Sequence, residues 1–190
     1  GDQVVGVRLT KGNNELLLAN GSGRAIRFNG NEVRTMGRVS TGVRGIRLDE
    51  GDDEVVGMVC VSDPEKETIM VVSENGYGKR SDIEDYRKTA RGGKGVKTLS
   101  ITEKTGRLVA IKVVTDENDL MIINKSGILI RLKVADVRVM GRATQGVRLI
   151  NLTKKNDTIA SVCKVLSATD EEIAAESEET QGNPEPATTE

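Results

Sequence analysis

The 190-residue chain has no histidine and no tryptophan, one phenylalanine, two tyrosines, three prolines and two cysteines. Without histidine there is no Ser-His or Cys-His nucleophile, and most zinc sites lose their usual ligand. Cys60 and Cys163 form no Cys-x-x-Cys pattern and sit in the apolar runs "MVCV" and "SVCKV"; both are expected to be buried, inert thiols. No apolar run approaches the roughly 20 residues that cross a bilayer, and no secretion signal opens the chain. A cytoplasmic protein with no membrane partner is the expectation. Nucleotide-binding motifs fail as well. A P-loop around Lys94 would place glycine at position 88 and Ser or Thr at 95, where Lys88 and Gly95 stand. The Gly-x-Gly pairs at 21–23 and 76–78 lack the third glycine of a dinucleotide fingerprint.

What the chain does have is charge, 30% of all residues, with a net value of only −1. The balance hides an asymmetry. Residues 1–166 carry 28 Lys and Arg against 21 Asp and Glu, and residues 167–190 carry eight acids and no base. A basic body with an acidic tail suits a polyanion partner and an intramolecular competitor for it, or else a merely solubilising terminus. The Gly, Pro and Thr of that tail point to disorder, with at most a short helix over 170–180.

The body is repetitive. "RTMGRVSTGVRGIRL" (34–48), "RKTARGGKGVKTLSI" (87–101) and "RVMGRATQGVRLINL" (138–152) align without a gap in steps of 53 and 51 residues. A second register, "NGSGRAIRF" (20–28), "ENGYGKRS" (74–81) and "NKSGILIRL" (124–132), advances by the same steps. Two registers with one period make chance an inadequate explanation, and a period near 50 points to a propeller-like or solenoid array. Runs such as "VVGVRL", "ELLLA", "VVGMVCV", "TIMVVS", "LVAIKVV" and "DLMIINK" are short, rich in Val and Ile, and bounded by Gly, Asn and Asp; they predict strands. "NGSG" and "NGYG" predict tight turns. The fold class is therefore all-β, with about three four-stranded blades over 1–166 (repeats about 1–50, 51–104 and 105–166). Strands at 3–9 and 15–28 are expected to open the first blade, and one at 158–166 to end the body. A closed propeller takes at least about four blades, and the chain begins at Gly1 without an initiator Met; the C-terminal portion of a longer protein is expected.

Each glycine–basic box falls between strands, so its cations recur from blade to blade. Arg34, Arg38 and Arg44 belong to the first box, Arg87, Lys88, Arg91, Lys94 and Lys97 to the second, and Arg138, Arg142 and Arg148 to the third. Arg27, Arg80 and Arg131 each stand seven residues before their box. Glycine lets backbone N–H groups approach phosphate, and arginine offers a matching fork. All fourteen cations are candidate contacts to a polyanion backbone. With three aromatic residues in all, stacking platforms for single strands are scarce, which favours duplex DNA. Two other readings stay open: the arginines pair with acids between blades, or the array is a scaffold that binds protein.

"MGRVSTGVRGIRL", "YRKTARGGKGVKTLSITEKTG" and "NGYGKRS" resemble the C-terminal domain of the DNA gyrase A subunit, and the resemblance covers residues 1–166. It implies a β-pinwheel of roughly six blades, with duplex DNA wrapped on a basic rim in support of ATP-dependent negative supercoiling. It also implies a nucleoid-associated type II topoisomerase, with the B subunit of gyrase and a second A subunit engaged through upstream domains. No cofactor is implied in this stretch; ATP and Mg2+ act elsewhere, and the strand-cutting tyrosine lies upstream, so neither Tyr77 nor Tyr86 is a nucleophile. The family's hallmark box, Gln-Arg-Arg-Gly-Gly-Lys-Gly, is only partly matched by "TARGGKG" (89–95), where Thr89 and Ala90 replace Gln and the first Arg. That departure keeps the A subunit of topoisomerase IV as a close alternative.

Overall fold

The computed structural model describes residues 3–152 and 157–167; the acidic tail and the helix expected at 170–180 lie outside the described residues. Among the described residues, eleven strands form three sheets. They are β1 (Glu15–Asn20), β2 (Arg24–Asn29), β3 (Val55–Val61), β4 (Thr68–Ser73), β5 (Tyr77–Asp82), β6 (Val96–Lys97), β7 (Leu108–Val114), β8 (Asn118–Asn124), β9 (Leu129–Lys133), β10 (Val147–Arg148) and β11 (Ile159–Leu166). The sheets run β3-β1-β2-β6, β10-β5-β4-β7 and β11-β8-β9. Each is built on a hairpin, β1–β2, β4–β5 or β8–β9, whose strands pair antiparallel.

The hairpin turns follow from their polar residues. Asn20 Oδ1 accepts from the Arg24 N–H at 2.8 Å, and its Nδ2 donates to Asp53 at 2.7 Å. Asn124 repeats both bonds, to Ile128 N and Asp157, at 2.6 and 2.7 Å. Such self-bonding asparagine loops compete well with extended chain at a turn.

The sheets do not follow the repeat borders. The third strand of each sheet (β3, β7 or β11) comes after its hairpin in the chain, and in the first two sheets the fourth strand is two residues of the next box. Val96–Lys97 pairs with Arg24–Ala25, and Val147–Arg148 with Tyr77–Gly78. This sharing explains a difference from expectation at 3–9, which is exposed and forms no strand. One step along, the matching segments β3 and β7 pair with the hairpins that precede them. No hairpin precedes 3–9 among the described residues.

Period-two alternation sends side chains to three cores among the described residues, one of which joins Leu16 of β1 to Ile26 and Phe28 of β2 and to Ile46. Leu17 and Ala19 of β1 meet Ile69 and Val71 of β4 between the first two sheets. Met70 and Val72 of β4 meet Leu120 and Ile122 of β8 between the second and third. The middle sheet is covered on both faces, which is why "TIMVVS" is apolar almost throughout and buried at every position. Of the two thiols, Cys60 is partly buried, but Cys163 is exposed. The apolar run around Cys163 belongs to β11, the outermost strand of its sheet, where Ile159 and Val162 face inward and Ser161 and Cys163 outward.

The box glycine just before each borrowed strand has a steric task. Gly146 has φ +79°, and a Cβ there would stand 2.5 Å from the Gly78 carbonyl oxygen. Gly95 repeats this against Ala25 at φ +70°. Gly146→Ala combines left-handed backbone with a backbone clash and is expected to lower stability by about 1–3 kcal/mol, read from the urea midpoint. An unchanged midpoint would show that β10 is not held by this contact.

Candidate nucleic-acid interface

The three boxes touch in sequence. Arg91 Nε donates to the Glu32 carbonyl at 3.1 Å and Nη1 to the Arg44 carbonyl at 3.0 Å. One step on, Arg142 Nε donates to Asp85 O at 2.9 Å and Nη1 to Lys97 O at 2.8 Å. Backbone bonds reinforce both joints: Arg47 N to Gly93 O at 2.8 Å, Gly92 N to Gly45 O at 2.5 Å, and Ser100 N to Thr144 O at 3.1 Å. Arg91 and Arg142 are half-buried and each uses two edges of its guanidinium to join one box to the previous one. Their role is at least partly architectural.

The second-register arginines depart further from the expectation of a phosphate contact. Arg27 is 1% exposed. Its Nε donates to Glu15 at 2.6 Å, Nη1 to the carbonyls of Ile83 and Tyr86 at 2.9 and 3.0 Å, and Nη2 to Glu84 at 2.9 Å. Arg80, 5% exposed, repeats the plan with Thr68 at 3.1 Å, the carbonyls of Val134 and Val137 at 3.0 and 3.3 Å, and Asp116 at 2.8 Å. Both clamp the 3-10 turn of the next repeat (Ile83–Asp85 or Val134–Asp136); Arg27 engages all three guanidinium nitrogens, and Arg80 engages Nε and Nη1. Arg131 is bonded to Asp119 at 2.6 Å and to Leu166 O at 3.3 Å, and keeps an exposed flank. The signal lay in the diagonal neighbour on the preceding strand: Glu15, Thr68 and Asp119 all stand twelve residues before their arginine.

The remaining candidates are on the surface. Arg34, Arg38, Arg44, Arg87, Lys97 and Arg138 are exposed, and no carboxylate pairs with them among the described residues. Lys88 pairs with the largely buried Glu15. Lys94 stands 3.7 Å from Asp49, and an exposed pair of this kind is weak and easily exchanged for phosphate. Arg148 lies over the Tyr77 ring at 5.5 Å and donates to its hydroxyl at 2.9 Å. Lys104 covers the same ring at 5.4 Å. Sequence reasoning missed Lys104, which lies outside the box pattern, and Arg47, an exposed cation at the first joint.

Local fields shift several groups. Burial pushes the Glu15 carboxyl up, but hydrogen bonds and charge from Lys88 and Arg27 outweigh it and hold the group below its ordinary value. The hydrogen bond from Arg148 lowers Tyr77. Burial raises Tyr86 to about 12, partly offset by its bond to Thr98 at 2.5 Å.

The family model described as DNA gyrase C-terminal domain, beta-propeller, matches residues 14–62, 67–115 and 118–163. The chain belongs to this family. It is 47% identical over 171 residues to the DNA gyrase A subunit of Staphylococcus aureus (strain MRSA252), covering 90% of this chain and 19% of that protein. It therefore spans about a fifth of the length of the curated relative it matches. Two solved structures resemble it at 28% identity. The C-terminal domain of DNA topoisomerase IV gives a TM-score of 0.81 over 95% of this chain and 55% of its own. The DNA gyrase A C-terminal domain gives 0.74 over 81% and 51%. The all-β blades of the gyrase C-terminal family account for the three matched segments, each centred on one hairpin and the strand that follows it.

Proposed function

We propose that this chain binds duplex DNA along the connected boxes, as part of the A subunit of a DNA gyrase, and that DNA wrapped there supports ATP-dependent negative supercoiling by the whole enzyme. The supporting observation is the contact chain from the first box to the third, which carries Arg34, Arg38, Arg44, Arg87, Lys97 and Arg138 exposed and, among the described residues, unpaired with acids. Cations repeated along a connected path add phosphate contacts in number without reading sequence. This role requires as partners the B subunit of gyrase and a second copy of the A subunit. ATP and Mg2+ would act on those other parts. Relatives at 45–47% identity are named as A subunits of gyrase, which favours gyrase over topoisomerase IV. Two measurements test the reading. Gel shifts on plain duplex DNA should weaken steeply between about 50 and 200 mM salt. Sealing a nicked plasmid in the presence of the chain should shift its linking number. Salt-independent affinity with an unshifted linking number would favour a protein-binding scaffold instead.

A further inference from the structure

Lys79 is out of place. It lies on β5 at the position that Ile26 holds on β2 and Ile130 on β9, and it is fully buried. Its ammonium makes one hydrogen bond among the described residues, to the Gly141 carbonyl of the third box at 2.6 Å. Across the strand it faces Val71. The charged groups acting on it are Asp85, from the 3-10 turn, and Arg142, from the box above. Neither bonds it, and the Asp85 carbonyl is occupied by Arg142. A buried ammonium with one neutral partner is an expensive way to hold a loop. Isoleucine serves under the second box, where Ile26 lines a cleft of about 240 Å³ with Arg87, Thr89, Gly93 and Lys94.

The third box differs from the second in a matching way. Gln145 stands where the second box has Lys94. The third box, which like the first lacks a lysine in its loop, has one in the strand beneath it. We propose that Lys79 is a reserve cation of the third box, which at alkaline pH regains a proton from solvent when a DNA phosphate settles over Gly141 and Arg142. This rests on the DNA-binding reading above.

The energetics are consistent with a switchable charge. Burial brings Lys79 down to about 8, with Asp85 pulling it up and Arg142 pushing it further down. A phosphate beside it raises it again and makes the protonated form dominant in the complex. Because the folded value lies below the unfolded 10.5, the cost of the buried charge to stability is full below pH 8. It fades as pH rises toward 10.5.

The test uses the whole chain and a plain-sequence duplex, with binding heats measured at pH 8.5 in buffers of different ionisation enthalpy. Wild type should take up a substantial fraction of a proton on binding, and its affinity should fall about five- to tenfold between pH 7 and pH 9 from this group. Lys79→Met should lose that uptake, and so should Lys79→Arg, which stays charged and should keep its affinity at pH 9. The difference in uptake between wild type and variant is the decisive quantity. A second readout is independent of DNA: Lys79→Met should unfold at higher urea than wild type at pH 7, with the gap closing as pH rises from 8. Equal uptake in wild type and Lys79→Met, or none in wild type despite salt-sensitive binding, overturns the proposal alone. Absence of DNA binding at low salt overturns the DNA-binding reading with it.

Discussion

Arg27→Ala is expected to cost this chain about 3–5 kcal/mol of stability. The guanidinium satisfies two carboxylates and two carbonyls at once, across the border between the first repeat and the second. Truncation leaves the Ile83 carbonyl with only its turn bond from Tyr86 N–H, and strips Glu15 of its better-buried partner. Lys88 still reaches Glu15, which argues for the lower half of the range. Arg80→Ala should cost less. Its Nε partner on the neighbouring strand is the neutral Thr68 and its acid, Asp116, is largely exposed, so no buried charge is stranded. Urea unfolding at pH 7 checks both, with the exposed Arg87→Ala as a control that should stay within about 0.5 kcal/mol of wild type. The acid limb carries a further signature. Glu15 is held below its ordinary 4.5 in the folded state, so its contribution is present above pH 4.5 and is lost as pH falls through the lower folded value. Arg27→Ala should flatten that limb. A stability like that of the Arg87 control would mean that the clamp does not hold the blades together.

The second large effect is on DNA. Changing Arg34, Arg38, Arg87 and Arg138 together to Gln should reduce the slope of log affinity against log salt by about 3–4, since each lost phosphate contact removes about 0.9. Near 0.1 M salt this corresponds to an affinity loss on the order of a thousandfold. These four are exposed and carry no ion pair among the described residues, so the fold should survive their loss. The set Arg38, Arg91 and Arg142, equivalent by repeat register, is a poorer experiment: two of its members hold one box to the next through carbonyls, and their removal mixes folding with binding. If the quadruple variant keeps the wild-type slope, phosphates are not being neutralised along these boxes.

The contrast between those two sets of arginines shows what can be read from the chain alone. Register alignment treats Arg27, Arg34 and Arg38 alike, because each recurs at the same steps. Only the pairing of β1 with β2 and the placement of the next 3-10 turn separate a clamp from a surface charge. Lys79 is similar. In the sequence it is one more cation in a basic stretch, and its burial depends on a loop 62 residues away.

By itself, the amino-acid order determined the hairpin strands, the turns, the period and the propeller-like class, because these rest on side-chain alternation and on backbone angles that Asn and Gly favour within a few residues. Tertiary structure alone decided that each box lends a strand to the sheet before it, that 3–9 stays unpaired, that Cys163 faces solvent, and which cations remain open to a partner. Those outcomes depend on which groups meet across 40 or more residues of chain, and a local pattern carries no information about what will desolvate or neutralise a charge at that distance.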